Sequence, residues 1–466
     1  MDVRIKFLGG AQTVTGSKYL LDIGTTRVLV DCGLFQGLKE LRLRNWSGLD
    51  FDPASIDMVI ITHAHIDHTG YLPKLCKDGF NGPIYCTHPT ADLIEILLRD
   101  SAKLQEEEAE WAQKKGYSKH ANPQALYTVE DAEVVFPLLQ SVDCNKTISL
   151  TENISVSFHT AGHILGAAIV QLFIKGEHQS KTMVFSGDLG RYENEIMYDP
   201  SAITQADILL VESTYGNRKN IQPDTLAAME KEINEGLEAG GCIVIPSFAV
   251  GRTQNVLFYL YELFESGLIP KVPVYIDSPM AVSVTNLYER YSEYHKLGDV
   301  RAKNGDPIFD YKQFKYVTSI NESKYINTVK EKAIIISASG MCTGGRILHH
   351  LYHRLPHPQD TVLIVGYQAE GSRGQRILSG ESPIPIFGES VPLQARIREI
   401  TGLSAHADRE ELIQWLDQFT DAPKRTFIVH GEKESSAALA QYLKEEKGWQ
   451  AHLPFYLESY ELFRGI

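Results

Sequence analysis

The stretch Thr62-His63-Ala64-His65-Ile66-Asp67-His68-Thr69-Gly70 places three histidines and one aspartate within six residues. The apolar run just before it, Met58-Val59-Ile60-Ile61, is typical of a buried strand. The polar cluster therefore follows the carboxyl end of a strand, which is where α/β sheets tend to place their ligand sites. An ordinary histidine-rich loop is the alternative, but burying four such groups without partners would be costly.

Spacing within the cluster indicates two neighbouring metal ions. His63 and His65 alternate with Ala64, so an extended backbone turns both imidazoles to the same side. Asp67 and His68 begin the next turn and reach a second point nearby. This mixture of nitrogen and carboxylate ligands suits zinc. The cluster therefore predicts one half of a dinuclear zinc site.

Composition bounds the class of protein. A chain of 466 residues is too long for one compact core, so we expect two domains. The six cysteines show no CxxC spacing, which argues against a disulfide framework and fits a reducing cytoplasm. We find no membrane-spanning run and no secretory signal, so we expect a cytoplasmic protein without a membrane partner. The net charge of −14 argues against nonspecific coating of nucleic acid, although a locally basic groove and bound dications would still permit a nucleic-acid enzyme.

Polar residues recur at the ends of predicted strands along the chain. Strand-like patterns occupy residues 1–31 and resume from 146 to 212, whereas strands alternate with helices from about 217 to 395. That alternation is typical of a doubly wound parallel sheet. Strand-like segments return after 396, so the middle block is predicted to be inserted into the first domain. Outside the opening cluster, the strand-end candidates are Asp31, His163, Asp188, Glu212, His406 and His430.

Several motifs carry a resemblance to a known family. Besides His63 to His68, they are Val211-Glu212-Ser213-Thr214-Tyr215-Gly216, Ser404-Ala405-His406-Ala407-Asp408, Val429-His430-Gly431-Glu432, Pro246-Ser247-Phe248-Ala249-Val250-Gly251-Arg252 and Gly340-Met341-Cys342-Thr343-Gly344-Gly345-Arg346. Over nearly its whole length the chain resembles the β-CASP ribonucleases of the metallo-β-lactamase superfamily, and it looks closest to the cleavage-factor endonuclease type. The resemblance implies an αββα sandwich, residues 1–210 and 396–466, with an inserted parallel α/β β-CASP domain, residues 211–395.

The resemblance also implies how two Zn²⁺ ions would be held. The ligands of the first ion would be His63, His65, His163 and Asp188. The ligands of the second would be Asp67, His68, His430 and the same Asp188, which bridges both ions. Asp31 would orient ligands through hydrogen bonds. Glu212 would pair with His406, the general acid for the leaving oxygen.

Hydrolysis of a phosphodiester follows from these roles. A pair of dications makes water nucleophilic near neutral pH and stabilises charge on phosphate oxygens. His406 suits proton donation because its ordinary pKa lies near neutrality. We therefore expect a zinc-dependent ribonuclease of single-stranded RNA, an endonuclease with 5′ exonuclease activity left open, in RNA processing or decay. Two alternatives are a small-molecule hydrolase of thioesters, lactones or β-lactams, which would not need the long insertion, and a catalytically silent RNA-binding scaffold, which would not need intact ligands.

Loops of the middle block are predicted to contact the RNA backbone. The loop from Ser339 to Arg346 is rich in glycine and precedes a helix, which makes it a candidate anion cradle, although a tight turn at a sheet edge is the alternative. The predicted contacts are Ser247, Arg252, Ser339, Gly340, Thr343, Gly344, Gly345, Arg346 and Arg373. The aromatics Phe248, Tyr367 and Tyr215 could stack on bases, but we expect them to pack in the core. Relatives of this kind often dimerise, so a homodimer is left open.

Overall fold

The computed structural model describes residues 1–115, 123–219, 224–299, 307–330, 332–369 and 371–466. The strands are β1 (Val3–Gly9), β2 (Lys18–Ile23), β3 (Thr26–Val30), β4 (Met58–Ile60), β5 (Ile84–Thr87), β6 (Leu139–Val142), β7 (Thr147–Ser149), β8 (Ile154–Thr160), β9 (Ala168–Lys175), β10 (Ser180–Phe185), β11 (Ile208–Glu212), β12 (Ile243–Pro246), β13 (Val274–Ile276), β14 (Phe314–Tyr316), β15 (Ile334–Ser337), β16 (Thr361–Ile364), β17 (Ile384–Ile386), β18 (Glu389–Val391), β19 (Arg396–Glu399), β20 (Arg425–Val429), β21 (Ala451–His452) and β22 (Ser459–Phe463).

The helices lie between these strands. They are α1 (Lys39–Arg44), α2 (Ile66–Thr69), α3 (Leu72–Lys77), α4 (His88–Lys115), α5 (Val129–Glu133), α6 (Thr225–Glu238), α7 (Arg252–Glu265), α8 (Pro279–Arg290), α9 (Ile320–Ile326), α10 (Ile347–Arg354), α11 (Arg373–Leu378), α12 (Arg409–Leu416) and α13 (Lys433–Glu445). Among the described residues, none of these helices is both long enough and apolar enough to cross a membrane. The chain divides into two compact units, one of residues 1–219 with 406–466 and one of residues 220–405.

The first unit is built on two sheets that share one core. In the described residues the strand orders are β22-β1-β2-β3-β4-β5-β6 and β21-β20-β11-β10-β9-β8-β7. Alternate side chains of β1, such as Ile5 and Phe7, point inward, and the Phe7 ring lies 5.1 Å from that of Phe427 on the second sheet. Helices α4 and α13 contact strands of the first and second sheet respectively. This arrangement confirms the predicted αββα sandwich.

Parallel pairing in both sheets brings the polar strand ends together. β3 is parallel to β4, so Asp31 and His63 leave the first sheet at the same edge. β10, β11 and β20 are parallel neighbours in the second sheet. Glu212 is the last residue of β11, and Asp188 and His430 follow the carboxyl ends of β10 and β20. Because carboxyl ends of parallel strands meet at one edge, residues that are distant in sequence converge there.

The second unit is a parallel α/β sheet with the order β14-β13-β15-β12-β16-β19 among its described residues. Helix α10 packs on the side of β12 that carries Val244, because Leu351 and Val244 share one core cluster. Helix α6 packs on the other side, where Gly236 contacts the neighbouring Ile243. Helices therefore cover both faces of this sheet, as predicted for the inserted α/β block.

The second boundary lies later than the sequence pattern indicates. We predicted that the first domain resumes at residue 396, but β19 pairs in parallel with β16, from Thr361 and Arg396 to Ile364 and Glu399. It is therefore the edge strand of the second unit. Its charged sequence suits an edge position and hides its membership of an otherwise apolar parallel sheet. At the first boundary, β11 and Glu212 lie in the first unit, not beyond it.

Candidate metal centre

Four side chains of the first unit form a compact group that could hold one metal ion. Nδ1 of His65 lies 3.2 Å from Nε2 of His63 and 3.2 Å from Nε2 of His163. Oδ2 of Asp188 lies 3.4 Å from the His63 nitrogen and 3.7 Å from the His163 nitrogen. Tetrahedral zinc with bonds of about 2.1 Å places its ligand atoms about 3.4 Å apart. These four separations are therefore close to the edge length of a zinc tetrahedron.

A second group lies on the other side of the same aspartate. Oδ2 of Asp67 lies 3.2 Å from Nε2 of His430 and 4.0 Å from Nε2 of His68. Oδ1 of Asp188 lies 3.4 Å from the His68 nitrogen and 3.1 Å from Nδ1 of His430. One carboxylate thus presents one oxygen to each group. That is the arrangement a bridging ligand between two ions requires.

Burial supports metal binding at this position. His63, His68, His163, Asp188 and His430 are all buried. Within the described chain, Nε2 of His68 and Oδ1 of Asp188 are buried yet form no hydrogen bond. Such atoms are costly to bury without a partner, and a dication would satisfy both at once. The donor set, imidazole nitrogen and carboxylate oxygen, is the one zinc prefers.

The local backbone explains how the cluster is presented. After β4 the chain extends through His63 and His65 and then turns into α2, which begins at Ile66 and carries Asp67 and His68. The backbone N–H groups of His68 and Thr69 both donate to the carbonyl oxygen of His65, which fixes the turn. The extended segment and the helix therefore direct their side chains to two adjacent points.

Asp31 orients His68 through a hydrogen bond on the side of the ring that faces away from the candidate metal ligands. Its Oδ2 accepts a hydrogen bond of 2.8 Å from Nδ1 of His68, which directs Nε2 of that ring toward the cluster. Thr62 donates to the same carboxylate through its backbone N–H, at 2.8 Å, and through its hydroxyl group. We did not single out Thr62 in the sequence, where its position directly before His63 is the only signal.

Electrostatics keeps most of the ligand groups in the protonation states that metals need. His68 is the exception: burial acts to lower its pKa, but the Asp188 and Asp31 carboxylates outweigh burial and raise that pKa well above its usual value. Burial lowers the pKa of His63 to about 3 and also lowers the pKa values of His65 and His163, so these imidazoles are neutral. Burial acts to raise the pKa of Asp188, but the surrounding histidines outweigh it and hold that pKa well below the usual range. Neutral imidazoles and ionised carboxylates are the forms that bind zinc.

His406 lies beside the first group and contacts a carboxylate. Its Nδ1 is 3.4 Å from Oε2 of Glu212 and 3.9 Å from Oδ2 of Asp188. Glu212 is itself fixed, since Oε1 accepts from the backbone N–H of Leu189 at 2.5 Å. Burial acts to lower the pKa of His406, but Glu212 and Asp188 outweigh it and raise that pKa to about 10. Bound dications would act in the opposite direction.

The segment around His406 is anchored to the first unit on both sides. The N–H of Ala407 donates to the carbonyl oxygen of Leu189 at 2.8 Å. Asp408 caps helix α12 and forms a capping box with Glu411. Arg191 in turn pairs with Glu411 at 3.1 Å. These contacts hold the imidazole beside the candidate ligand residues.

The predicted RNA-contact loops lie in the second unit, after the neighbouring parallel strands β12 and β15. Ser247 is buried, and its N–H donates to Ser337 at 3.0 Å. The Ser339 hydroxyl accepts from the N–H of Thr343 at 2.9 Å, and Gly340 packs against the Phe248 ring. The two loops therefore lie side by side. Gly344 has open space around it, and Gly345 has a positive φ of 82°.

The arginines of these loops bind their own chain. Arg346 donates to Oδ1 of buried Asp277 at 2.7 Å and to two backbone carbonyl oxygens. Arg373 donates to the carbonyl oxygens of Cys342 and Pro385, and Arg252 donates to that of Val365. Three guanidinium groups that we predicted to meet RNA are thus engaged in holding the loops.

Two aromatic side chains lie where we did not expect them. Phe248 is 40% exposed and Tyr367 is 62% exposed, so the prediction that they pack in the core is wrong. Both follow strand ends on loops, where neighbouring helices do not cover them. Tyr215 is partly buried and its ring meets that of His406 edge-on at 5.9 Å.

Comparisons with known proteins agree with this geometry. Residues 14–229 match the model of the metallo-beta-lactamase superfamily, residues 253–377 that of the Beta-Casp domain, and residues 390–454 that of the Zn-dependent metallo-hydrolase RNA specificity domain. A crystal structure of a protein of unknown function from Enterococcus faecalis V583 is similar with a TM-score of 0.56 at 14% identity, covering 99% of this chain and 100% of that one. That likeness concerns the fold alone.

Curated relatives cover almost all of the chain. It is 37% identical over 445 residues to Ribonuclease TTHA0252 of Thermus thermophilus. The aligned region covers 95% of this chain and 96% of that protein. It is 32% identical over 471 residues to transcription termination factor FttA of Methanocaldococcus jannaschii, covering 98% of this chain and 71% of that one. The protein is a zinc-dependent metallo-hydrolase, and its donor set fits a dinuclear site. With matches of this extent, the chain belongs to the β-CASP family of the metallo-β-lactamase superfamily.

Proposed function

We propose that this chain is a cytoplasmic zinc-dependent ribonuclease that hydrolyses phosphodiester bonds of single-stranded RNA in RNA processing or decay. We assign it endonucleolytic cleavage and leave 5′ exonuclease activity open, as the sequence does. The observation that carries the proposal is the Asp188 carboxylate, which faces a ligand group on each side while His406 lies 3.9 Å from one of its oxygens. Two-metal sites with an adjacent acid suit in-line displacement at phosphorus.

The ligand assignment follows the two groups. The first zinc ion is assigned to His63, His65, His163 and Asp188, and the second to Asp67, His68, His430 and Asp188. When bound, the two ions supply Lewis acidity and lower the pKa of the attacking water. Asp31 keeps the His68 ring in the orientation that binding needs.

His406 is assigned the proton that the leaving oxygen requires. Glu212 faces Nδ1, so proton delivery is assigned to Nε2. The Glu212 carboxylate keeps the imidazole protonated and fixes its orientation, while its own position is set by the N–H of Leu189. General acid catalysis of this kind contributes about 10²–10⁴-fold to the rate.

RNA as the substrate is supported by the relatives. The relative from Thermus thermophilus is named a ribonuclease and is covered over 96% of its length. The RNA specificity domain matches residues 390–454. We assign catalysis to the first unit, and RNA backbone contacts to the loops after β12 and β15, through the Ser339–Gly345 segment more than through the engaged arginines. A homodimer stays a prediction that sedimentation velocity would test.

Cleavage of a 5′-labelled single-stranded RNA, with and without chelator, tests the proposal. We expect zinc-dependent cleavage by the native protein and about two zinc ions per chain. His406→Ala should keep both ions and lose about 10²–10⁴-fold in turnover, whereas the exposed His178→Ala should match the native protein. Loss of zinc in His406→Ala would make His406 a ligand. RNA binding without cleavage at full zinc content would favour a scaffold, and turnover of a thioester, lactone or β-lactam instead of RNA would favour a small-molecule hydrolase.

A further inference from the structure

A surface of the first unit combines exposed apolar side chains from two distant segments. Leu38, Leu43 and Trp46, on and next to α1, are 67%, 53% and 55% exposed, and Phe455 and Leu457 are 65% and 43% exposed. No residue of α1 is buried. We call these side chains, together with Lys39, Arg42, Arg44 and Tyr456, the α1 surface. Clustered exposed apolar side chains of this size mark interaction sites.

Contacts between the two segments show that the surface is continuous. The Arg44 guanidinium lies 4.3 Å from the centre of the Tyr456 ring and 5.4 Å from that of Phe35. A cavity of about 210 Å³ opens between the segments and is lined by Arg44, Tyr456 and Leu457 among others. Buried Lys18 borders it, with its ammonium group 4.6 Å from the Phe35 ring centre. Cations and aromatic rings therefore alternate across this surface.

Charge points to a polyanionic partner. Lys39 and Arg42 are exposed, and in the part of the chain that the structure describes neither forms an ion pair. Nearby Asp50 is paired with Lys6, and Glu40 is the acid on α1 that opposes them. The Glu458 carboxylate, next to Leu457, accepts from the N–H of Phe455 at 2.8 Å. This basic patch stands on a chain of net charge −14. Aromatic residues and arginine are enriched at protein interfaces too, but lysine is depleted there. Interleaved aromatics and cations that include a lysine unpaired among the described residues therefore favour single-stranded nucleic acid as the partner.

The surface adjoins the metal centre along the chain. The N–H of Cys32 donates to the carbonyl oxygen of His68 at 2.7 Å, and the N–H of Leu34 donates to that of Ile66 at 2.9 Å. Leu38 follows Leu34 by four residues, which span at most about 14 Å. A strand of RNA at the metals could therefore extend onto the α1 surface.

We propose that the α1 surface binds single-stranded RNA beside the metal centre. Bases stack on Trp46 and Phe455, and Lys39 and Arg42 bind phosphates. The proposal rests on the ribonuclease function proposed above and deepens it by adding a substrate-binding surface on the catalytic unit. Stacking on one aromatic side chain strengthens binding about 5–150-fold per base.

Trp46→Ala tests the proposal against a matched control. Trp111 is 56% exposed, close to the 55% of Trp46, but lies on α4 near acidic side chains. The zinc-loaded His406→Ala protein serves as the background, and anisotropy measures binding of a fluorescein-labelled 20-mer oligouridylate. We expect Trp46→Ala to weaken this binding about tenfold and Trp111→Ala to leave it unchanged.

Steady-state kinetics give a second readout in the otherwise native protein. There, Trp46→Ala should raise KM for this RNA and leave kcat unchanged. Phe455→Ala should repeat the result.

The salt dependence of RNA binding tests the two cations of the α1 surface, Lys39 and Arg42. The double variant Lys39→Gln/Arg42→Gln removes two phosphate contacts, so the slope of log Kd against log salt should fall by about 1.4 for single-stranded RNA. Both residues are exposed, so the melting temperature should not change.

Each outcome separates the α1 surface from the ribonuclease activity. If Trp46→Ala and Trp111→Ala bind RNA with equal affinity while the native protein cleaves RNA, the role of the α1 surface is contradicted and the ribonuclease function is not. If Trp46→Ala weakens RNA binding but the protein with native His406 does not cleave RNA, the α1 surface is supported and the ribonuclease function is contradicted. A change of sedimentation coefficient in Trp46→Ala with unchanged RNA affinity would assign the surface to a protein partner and overturn the proposal.

Discussion

Asp31 lies behind the metal centre, where it orients a histidine that could hold the second ion. Its Oδ2 accepts from Nδ1 of His68 at 2.8 Å, and Thr62 N–H donates to Oδ1 at the same distance. Both hydrogen bonds need a carboxylate that accepts on both oxygens. The ring of His68 can therefore direct Nε2 only toward Asp67 and Asp188.

We expect Asp31→Asn to weaken the second zinc site about 10–100-fold. Asparagine can still accept from Thr62, but its amide NH₂ would face the N–H of His68, and two donors repel. Competition with a chelating indicator would measure the two zinc affinities. Asp143→Asn makes the same change at an exposed position and should bind zinc like the native protein. Unchanged zinc affinity in Asp31→Asn would contradict the orienting role.

Several residues of the centre could be predicted individually because they follow strands. His63, Asp188 and His430 stand out as polar residues at the ends of apolar runs. Thr62 could not be predicted, since a threonine at a strand end is ordinary and its partner Asp31 lies 31 positions earlier. Its role is visible only once β3 and β4 are paired.

At the scale of elements, the exit of β3 is pressed against α2. A β-carbon on Gly33 would lie 1.6 Å from the carbonyl oxygen of Asp67. Backbone atoms cannot yield as a flexible side chain does, so the segment and the helix would have to separate. Glycine at this position therefore sets how close Asp67 and His68 come to the rest of the centre.

Gly33→Ala should consequently displace α2 and empty the second site. We expect zinc content to fall from about two ions per chain to about one, with loss of RNA cleavage, because the ligands would shift by more than metal bonds tolerate. Elemental analysis would measure this. Gly366→Ala is the control, since a β-carbon there would meet nothing within 4 Å. Full zinc content in Gly33→Ala would show that the contact relaxes without cost.

The glycine-rich loop after β15 is held by a buried polar cluster. Asp277 is buried, and its carboxylate accepts from Arg346 at 2.7 Å, from Ser323 at 2.7 Å and from His350 at 2.7 Å. The histidine-rich stretch from His349 to His357 supplies His350 to this cluster. Its helix α10 starts directly after Arg346.

Arg346→Ala should therefore act on stability. We expect it to lower the free energy of unfolding by about 3 kcal/mol, because it leaves the buried carboxylate of Asp277 with less compensation. Arg376→Ala breaks the exposed ion pair with Glu381 and should leave the free energy of unfolding almost unchanged. Urea denaturation followed by circular dichroism would compare them. Equal stability of the two variants would mean that Arg346 is not structural.

Why this loop was harder to predict is a matter of sequence distance. A glycine-rich loop before a helix fits an anion cradle and a tied turn equally well. The hydrogen bond from Arg346 to Asp277 distinguishes the two interpretations. Asp277 lies 69 positions before Arg346, and the pairing of β13 with β15 brings it to the loop. Local pattern therefore predicted the element correctly but not the partner of its arginine.

At the scale of the molecule, the centre depends on the chain returning to its first unit. Asp67 and His430, 3.2 Å apart, are separated by 363 positions, and the second unit lies between them. The fold class was predictable from strand and helix periodicity, together with the family motifs. The residue at which the chain returns to the first unit was not predictable from the sequence. The charged edge strand β19 resembles a strand of the first domain, and only its pairing with β16 shows that it belongs to the second unit.

Removal of zinc should loosen the first unit and leave the second unchanged. The assigned ligands come from segments around residues 63–68, 163, 188 and 430, all within the first unit, so two ions link four separate stretches of its chain. An ion present at a thousandfold its Kd stabilises the folded form by about 4 kcal/mol. The second unit has its own buried core around Val244, Ile335 and Leu351 and none of the ligands.

Hydrogen exchange resolved by peptide would measure this directly. After chelation we expect faster exchange in β4, α2 and the residues around His163 and His430, where closely spaced carboxylates and imidazoles lose their common partner. Exchange in β12, β15 and β16 should match that of the zinc-loaded protein. Readdition of zinc should restore protection, which separates metal binding from irreversible unfolding. Uniform loss of protection in both units would instead mean that the second unit depends on the first for its stability, and would contradict the independence of its core.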